Sequence, residues 1–180
     1  TTTTYREIRG VNGFDRVMSG VRAVRKRGVA VTTRTTVQRQ NYAEIPQIIE
    51  AALTADANAI SFLAVDVSSE VAFGERVDNP HSPALTPTDI DAFADVLDQV
   101  EHDYAAAFAS GRIAESPAKL RRMLRYFRAI NGETAFDGPR CNAPHISTVV
   151  EVDGRVRPCY FLPELGQLDA ATDLPTLLNG

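Results

Sequence analysis

Apolar residues first recur at helical spacing over residues 14–27, "FDRVMSGVRAVRKR". Phe14, Val17, Met18, Val21 and Val24 fall on one side and arginines on the other. Gly28 is the expected stop, and cationic side chains near it suit the negative end of the helix dipole. The period then changes. "VAVTTRTTV", residues 29–37, is rich in β-branched side chains and predicts a strand. Asn41 and Glu44 read as a capping pair, because a side-chain oxygen and a carboxylate three residues on satisfy free amides. The helix they introduce carries Ile45, Ile48, Ile49, Ala52 and Leu53, with Pro46 early enough to be tolerated. "AISFLAV", residues 59–65, is a continuous apolar run of strand length. Such a run predicts burial on both faces, as in a parallel sheet. Helix, strand, helix, strand is α/β organisation, with right-handed crossovers expected.

Residues 66–86 are polar and loop-like, with Gly74, Pro80 and Pro83. Thr86-Pro87 is a helix start: a hydroxyl cap, then proline at the first position. Ile90, Phe93, Leu97, Val100 and Tyr104 mark that helix, which is expected to end near Ser110-Gly111. Ser116-Pro117 repeats the signal for a second helix with Leu120, Met123, Leu124, Phe127 and Ile130, closed at Asn131-Gly132. Further on, Asp153-Gly154 between β-rich runs predicts a hairpin with a two-residue loop. That register sets Val152 against Arg155 and Thr148 against Cys159. A short helix is expected near Leu174–Leu178. Only two convincing parallel strands emerge, too few to cover both edges of "AISFLAV". The expectation is either pairing with another molecule or membership of a larger fold, and the second is preferred.

Composition narrows the class. The 180 residues are 44% hydrophobic and 23% charged, which is ordinary globular usage and leaves the class to motifs. A net charge of −4 argues against a general nucleic-acid binder. No apolar run approaches the roughly 18 residues of a membrane span. The start, Thr1 to Arg6, lacks the apolar core of a signal peptide. The expected setting is therefore the reducing cytoplasm, where a lasting disulfide is disfavoured. Both cysteines, Cys141 and Cys159, flank the hairpin. From the residues alone, four readings stay open: reduced packing cysteines, a disulfide, a redox pair without Cys-x-x-Cys, and partial metal ligation. His145 would add one ligand, although a lone histidine in a turn is ordinarily solvated.

"YREIRGVNGFDRVMSGVRAVRKRGVAVTTRTTVQRQN" resembles the middle of a radical S-adenosylmethionine (SAM) enzyme barrel. "ISFLAVD" is similar to the next barrel strand. The tail resembles the auxiliary cluster region called SPASM, or its shorter form Twitch, whose pattern is Cys, a spacer, Gly, four residues, Cys. Cys141, Gly154 and Cys159 fit it, with twelve residues between the first Cys and the Gly. "LGQLDAATDLPTLLN" is similar to the run that follows in that region. The resemblance covers roughly residues 5–66 and 139–180. The diagnostic Cys-x3-Cys-x2-Cys of the family is absent, as are the later auxiliary cysteines. The chain is thus expected to be an interior slice of such an enzyme.

The resemblance implies an α/β fold: the C-terminal part of a partial (β/α) barrel over 1–86, a helical connection over 87–138, and an incomplete SPASM/Twitch-like hairpin region over 139–180. It implies an oxidoreductase or maturase of a small molecule or peptide, with SAM, 4Fe–4S clusters and an electron donor such as flavodoxin or ferredoxin in the intact enzyme. Cys141 and Cys159 would be two ligands of an auxiliary 4Fe–4S cluster. Arg9 or Arg34 would meet the SAM carboxylate through a charge-assisted fork. Asp66, at the end of "ISFLAVD", would bind ribose hydroxyls or substrate, since ligands gather at strand C-termini in parallel folds. The rival class is a non-catalytic α/β binding module completed by a partner chain, with structural cysteines.

Overall fold

A computed structural model of the protein describes residues 1–67, 82–138, 142–160, 162–169 and 171–179. The chain is mixed α/β, and its described residues fall into two compact units, 1–67 with 82–137, and 138–179.

The first unit runs α1 (Thr2–Arg9), α2 (Phe14–Arg25), β1 (Thr32–Val37), α3 (Ile45–Thr54), β2 (Ala59–Ala64), α4 (Pro87–Asp103), α5 (Ala105–Ala109) and α6 (Pro117–Ile130). The helix-strand-helix-strand order expected over 14–65 is present, and β1 and β2 are parallel, with Thr32 opposite Ala59 and Val37 opposite Ala64. Successive side chains in a strand alternate between faces. One face of the sheet carries Val37, Ile60 and Phe62, all buried in a core shared with Ile49 of α3, Phe93 of α4 and Phe127 of α6. The rings of Phe93 and Phe127 meet edge-on at 6.5 Å between centroids, the arrangement that ring quadrupoles favour. The other face carries Thr32, Arg34 and Thr36, which are exposed, and Ser61, which is buried. Burial of β2 on both faces, as its apolar run predicts, is therefore incomplete: Leu63 is 39% exposed.

The edges of the sheet are unequal. Beyond β2, Ile60 bridges to Ile113 in parallel: its N–H donates to Arg112 O and its carbonyl accepts from Ala114 N–H, both at 2.8 Å. One step further the Phe62 N–H donates to Glu115 Oε2 at 2.9 Å, so a carboxylate ends the ladder there. Beyond β1, no described strand follows.

The helix starts at Thr86 and Ser116 are as expected. Thr86 and Asp89 form a reciprocal capping box, and Ser116 accepts the Lys119 N–H at 3.3 Å. The Asn41–Glu44 pair does not cap. A 3-10 turn, Tyr42–Glu44, precedes α3. Asn41 instead accepts the Gln38 N–H at 2.9 Å and donates to Thr36 O at 3.0 Å, closing the loop after β1. Glu44 accepts from the Thr4 hydroxyl at 2.6 Å. The local loop backbone has taken the Asn41 side chain, and a tertiary partner that of Glu44. Helix α1 lies in a segment whose threonines give no apolar period; the Thr1 hydroxyl accepts the Thr4 N–H at 3.4 Å at its start.

The second unit holds α7 (Ala143–Ile146), β3 (Val149–Val150), β4 (Arg155–Arg157), β5 (Gly166–Gln167) and α8 (Leu174–Asn179), with an antiparallel sheet in the order β3-β4-β5. The hairpin is present, but its register is shifted by one from the two-residue expectation. Val150 faces Val156, and Val149 faces Arg157. The loop is Val152-Asp153-Gly154: Gly154 N–H donates to Glu151 O, and Glu151 N–H donates to Arg155 O, both at 2.9 Å. Gly154 sits at φ 87°, as the third residue of such a loop requires. A Cβ there would also stand 3.0 Å from Leu168 O. The shift turns Val152 out to solvent at the tip and buries Val156.

Candidate functional site

A cleft of about 620 Å³ opens on the first unit among α1, α2, β1 and α3. That volume lies within the roughly 300–1,000 Å³ of small-molecule sites. Its apolar wall is the stripe predicted for α2: Phe14, Val17, Met18 and Val21. Of these, Val21 is buried in the core, Met18 packs against it, Phe14 meets the Tyr5 ring edge-on at 5.9 Å and Val17 is exposed, so the stripe is shared between the core and the cleft. The opposite wall is polar, built from the β1 threonines with Gln38 and Asn41.

The edge of β1 contributes backbone. The Val65 N–H donates to Val37 O at 2.8 Å, which fixes the phase of the parallel ladder. In such a ladder alternate residues direct both backbone groups to the same neighbour. Residues 33, 35 and 37 therefore serve β2, while Thr32, Arg34 and Thr36 direct theirs to the free edge. Of these, the Thr36 carbonyl is taken by Asn41. The Thr33 hydroxyl is buried with no hydrogen-bond partner.

Both arginines expected to contact a ligand line this cleft. Arg9 is exposed in the last turn of α1. Arg34 projects from β1, and its Nε donates to Ser61 Oγ at 3.3 Å. Ser61 Oγ donates in turn to Glu115 Oε1 at 2.8 Å. Ser61 and Glu115 are 2% and 7% exposed, so a buried carboxylate balances the arginine through one hydroxyl. Sequence reasoning missed both residues. The one signal for Ser61 was a lone polar side chain inside "AISFLAV"; Glu115, in a short segment without period, gave none.

Asp66 is half-buried just past β2, carries an interaction within the protein, and does not line the cleft. Cys159 is a free, half-buried thiol two residues beyond β4. Cys141 lies outside the described residues. His145 is exposed on α7. Among the described residues no group of three or more His, Cys, Asp or Glu is placed to hold a metal ion. A 4Fe–4S cluster ordinarily takes four thiolates. The described residues do not compose such a site. No described helix is long and apolar enough to cross a membrane.

No family model matches the chain, and neither the curated proteins nor the solved structures yield a match. The class that stands on structure is therefore mixed α/β, with a cleft beside an open parallel sheet.

Proposed function

We propose that the chain is the later part of a radical SAM barrel, joined to a SPASM/Twitch-like segment that contributes two ligands, Cys141 and Cys159, to an auxiliary 4Fe–4S cluster. The observation that carries this reading is the sheet. Two parallel strands have helices packed on one face, mostly polar residues with Ala59 and Leu63 on the other, and no described strand beyond β1. A barrel wall has that sidedness, with ligand-binding groups turned inward. The sequence resemblance supplies the family, and the cysteine-glycine-cysteine spacing supplies the cluster.

In such an enzyme the bound cofactors supply the radical chemistry. This chain's residues bind and orient. Arg34, with Arg9, holds a carboxylate by charge-assisted hydrogen bonds. The β1 threonine hydroxyls are donors and acceptors for ribose or substrate hydroxyls. The α2 wall shields apolar parts of the ligand from water. Asp66, at the C-terminal end of β2, belongs to the same reading as a ribose or substrate contact. The parent enzyme is cytoplasmic and draws electrons from a flavodoxin or ferredoxin.

Equilibrium dialysis of SAM against the protein tests the cleft assignment. Saturable binding that falls at least tenfold in Arg34→Gln supports it; absent binding, or binding indifferent to Arg34, overturns it. The free β1 edge also favours a second reading, a binding module whose sheet is completed by a strand from another chain. That reading predicts a stable complex with such a strand and no iron.

A further inference from the structure

Arg34 is held differently from the arginines that pair on the helix surfaces. Arg121 and Arg125 pair with exposed or half-exposed carboxylates on helix surfaces, where such pairs contribute little. Among the described residues Arg34 pairs with no such carboxylate. Its Nε is anchored to Ser61, and among the described residues its Nη atoms carry no hydrogen bond. The anchor is itself fixed at three points. Ser61 sits directly opposite Arg34 in the parallel register. Its hydroxyl is spent on Glu115 Oε1. The remaining oxygen of Glu115 is held by the Phe62 N–H, a backbone donor of the same strand. A long flexible side chain that lines the cleft is thereby tied by its Nε to the sheet.

We infer that Ser61 and Glu115 are positioning residues that preorganise Arg34 as a receptor for a carboxylate-bearing ligand. The inference rests on the cleft being a ligand site, not on that ligand being SAM. A planar guanidinium whose two Nη groups remain available matches a carboxylate in a bidentate fork through that one edge, and fixing Nε in advance removes rotamer entropy that binding would otherwise cost. Glu115 has two opposed effects. Its negative charge weakens the field an anion meets, whereas its hydrogen bond holds Ser61 and so Arg34. The Glu115→Gln substitution separates them: loss of charge alone tightens anion binding, and loss of the anchor weakens it.

The test is nitrogen-15 NMR of the Arg34 Nε–H in the intact protein, titrated with sodium acetate and with acetamide at constant ionic strength. In the wild type the Nε–H is expected to be slowed in water exchange and to shift with acetate, not acetamide. Ser61→Ala and Glu115→Gln should each speed exchange and weaken acetate binding threefold or more, with Ser61→Thr restoring both. A freely exchanging wild-type Nε–H overturns the inference without recourse to any variant. So does tighter acetate binding in Glu115→Gln. SAM serves as a separate arm. If the Arg34 signal responds to acetate but not to SAM, the receptor stands, the SAM assignment falls, and the carboxylate belongs to another ligand.

Discussion

Glu115 stands where a neighbouring strand would continue: its Oε2 accepts the Phe62 N–H at 2.9 Å, one step past the Ile60–Ile113 bridge. The carboxylate satisfies a sheet-edge donor and puts a buried charge where another strand would pair, a known means of ending a sheet. Glu115→Ala leaves the Phe62 N–H and the Ser61 hydroxyl without their acceptor. The expected loss is about 3 kcal/mol of unfolding free energy in urea, on the scale of breaking a buried charged hydrogen-bond set. Glu115→Gln, which keeps an acceptor, should lose less than half of that. An equal loss in both would show that charge, not hydrogen bonding, holds the edge.

The start of α4 predicts acid sensitivity. Burial alone would raise the Asp89 carboxyl. Hydrogen bonds from the Thr86 hydroxyl and backbone and from Tyr42, with Arg39 nearby, outweigh that and hold it below the usual carboxylate range. Because the folded pKa is the lower one, the stabilisation is complete above the unfolded value of about 4 and disappears as pH falls through the folded pKa. Asp89→Asn should therefore cost stability at pH 7 and flatten the acid limb of a stability–pH curve. An unchanged acid limb would remove Asp89 from the account.

Tyr104 predicts the opposite limb. Burial first, then the Glu50 carboxylate, pushes its phenol up to about 12, and its hydroxyl donates to Pro46 O at 3.3 Å. The folded pKa is the higher one, so stabilisation is complete below the unfolded value of about 10 and falls away as pH rises through the folded pKa. Thermal melts should drop between about pH 10 and 12 in the wild type. Tyr104→Phe should shrink that drop.

The Thr33 hydroxyl is buried without a hydrogen-bond partner, which carries a desolvation cost. Thr33→Val replaces it with a methyl of nearly the same shape. The substitution should raise stability by up to about 1 kcal/mol, read as a higher urea midpoint at unchanged slope. A clear loss would mean that the hydroxyl has a partner in solution, such as a bound water.

The parts of the fold legible in the sequence are those where one local rule decides. Helices α4 and α6 begin with a hydroxyl cap followed by proline and keep an apolar period for several turns, so their starts and buried faces agree with expectation. The β1–β2 pair was legible from composition, though β1 starts at Thr32, three residues late. What escaped turned on competing hydrogen-bond partners, near or far in sequence, and on burial. Asn41 and Glu44 have the spacing of a cap, yet Thr36 and Thr4 claim them. The hairpin register turned on whether Val152 joins the loop, and burial of Val156 decided it. Within the cleft, Arg9 and Arg34 were legible as candidate anion contacts. Ser61 and Glu115 were not, because a contact across 54 positions leaves no local pattern.

The proposed radical SAM reading, with Cys141 and Cys159 as two ligands of an auxiliary cluster, is open to direct test. The most direct measurement is iron and acid-labile sulfide per chain in the full-length polypeptide after anaerobic reconstitution, with and without Cys141→Ala and Cys159→Ala together. The account predicts that the double variant loses one cluster, about four iron atoms, while the remaining iron is kept. Full iron content in the double variant, or no iron in the wild type, would contradict it.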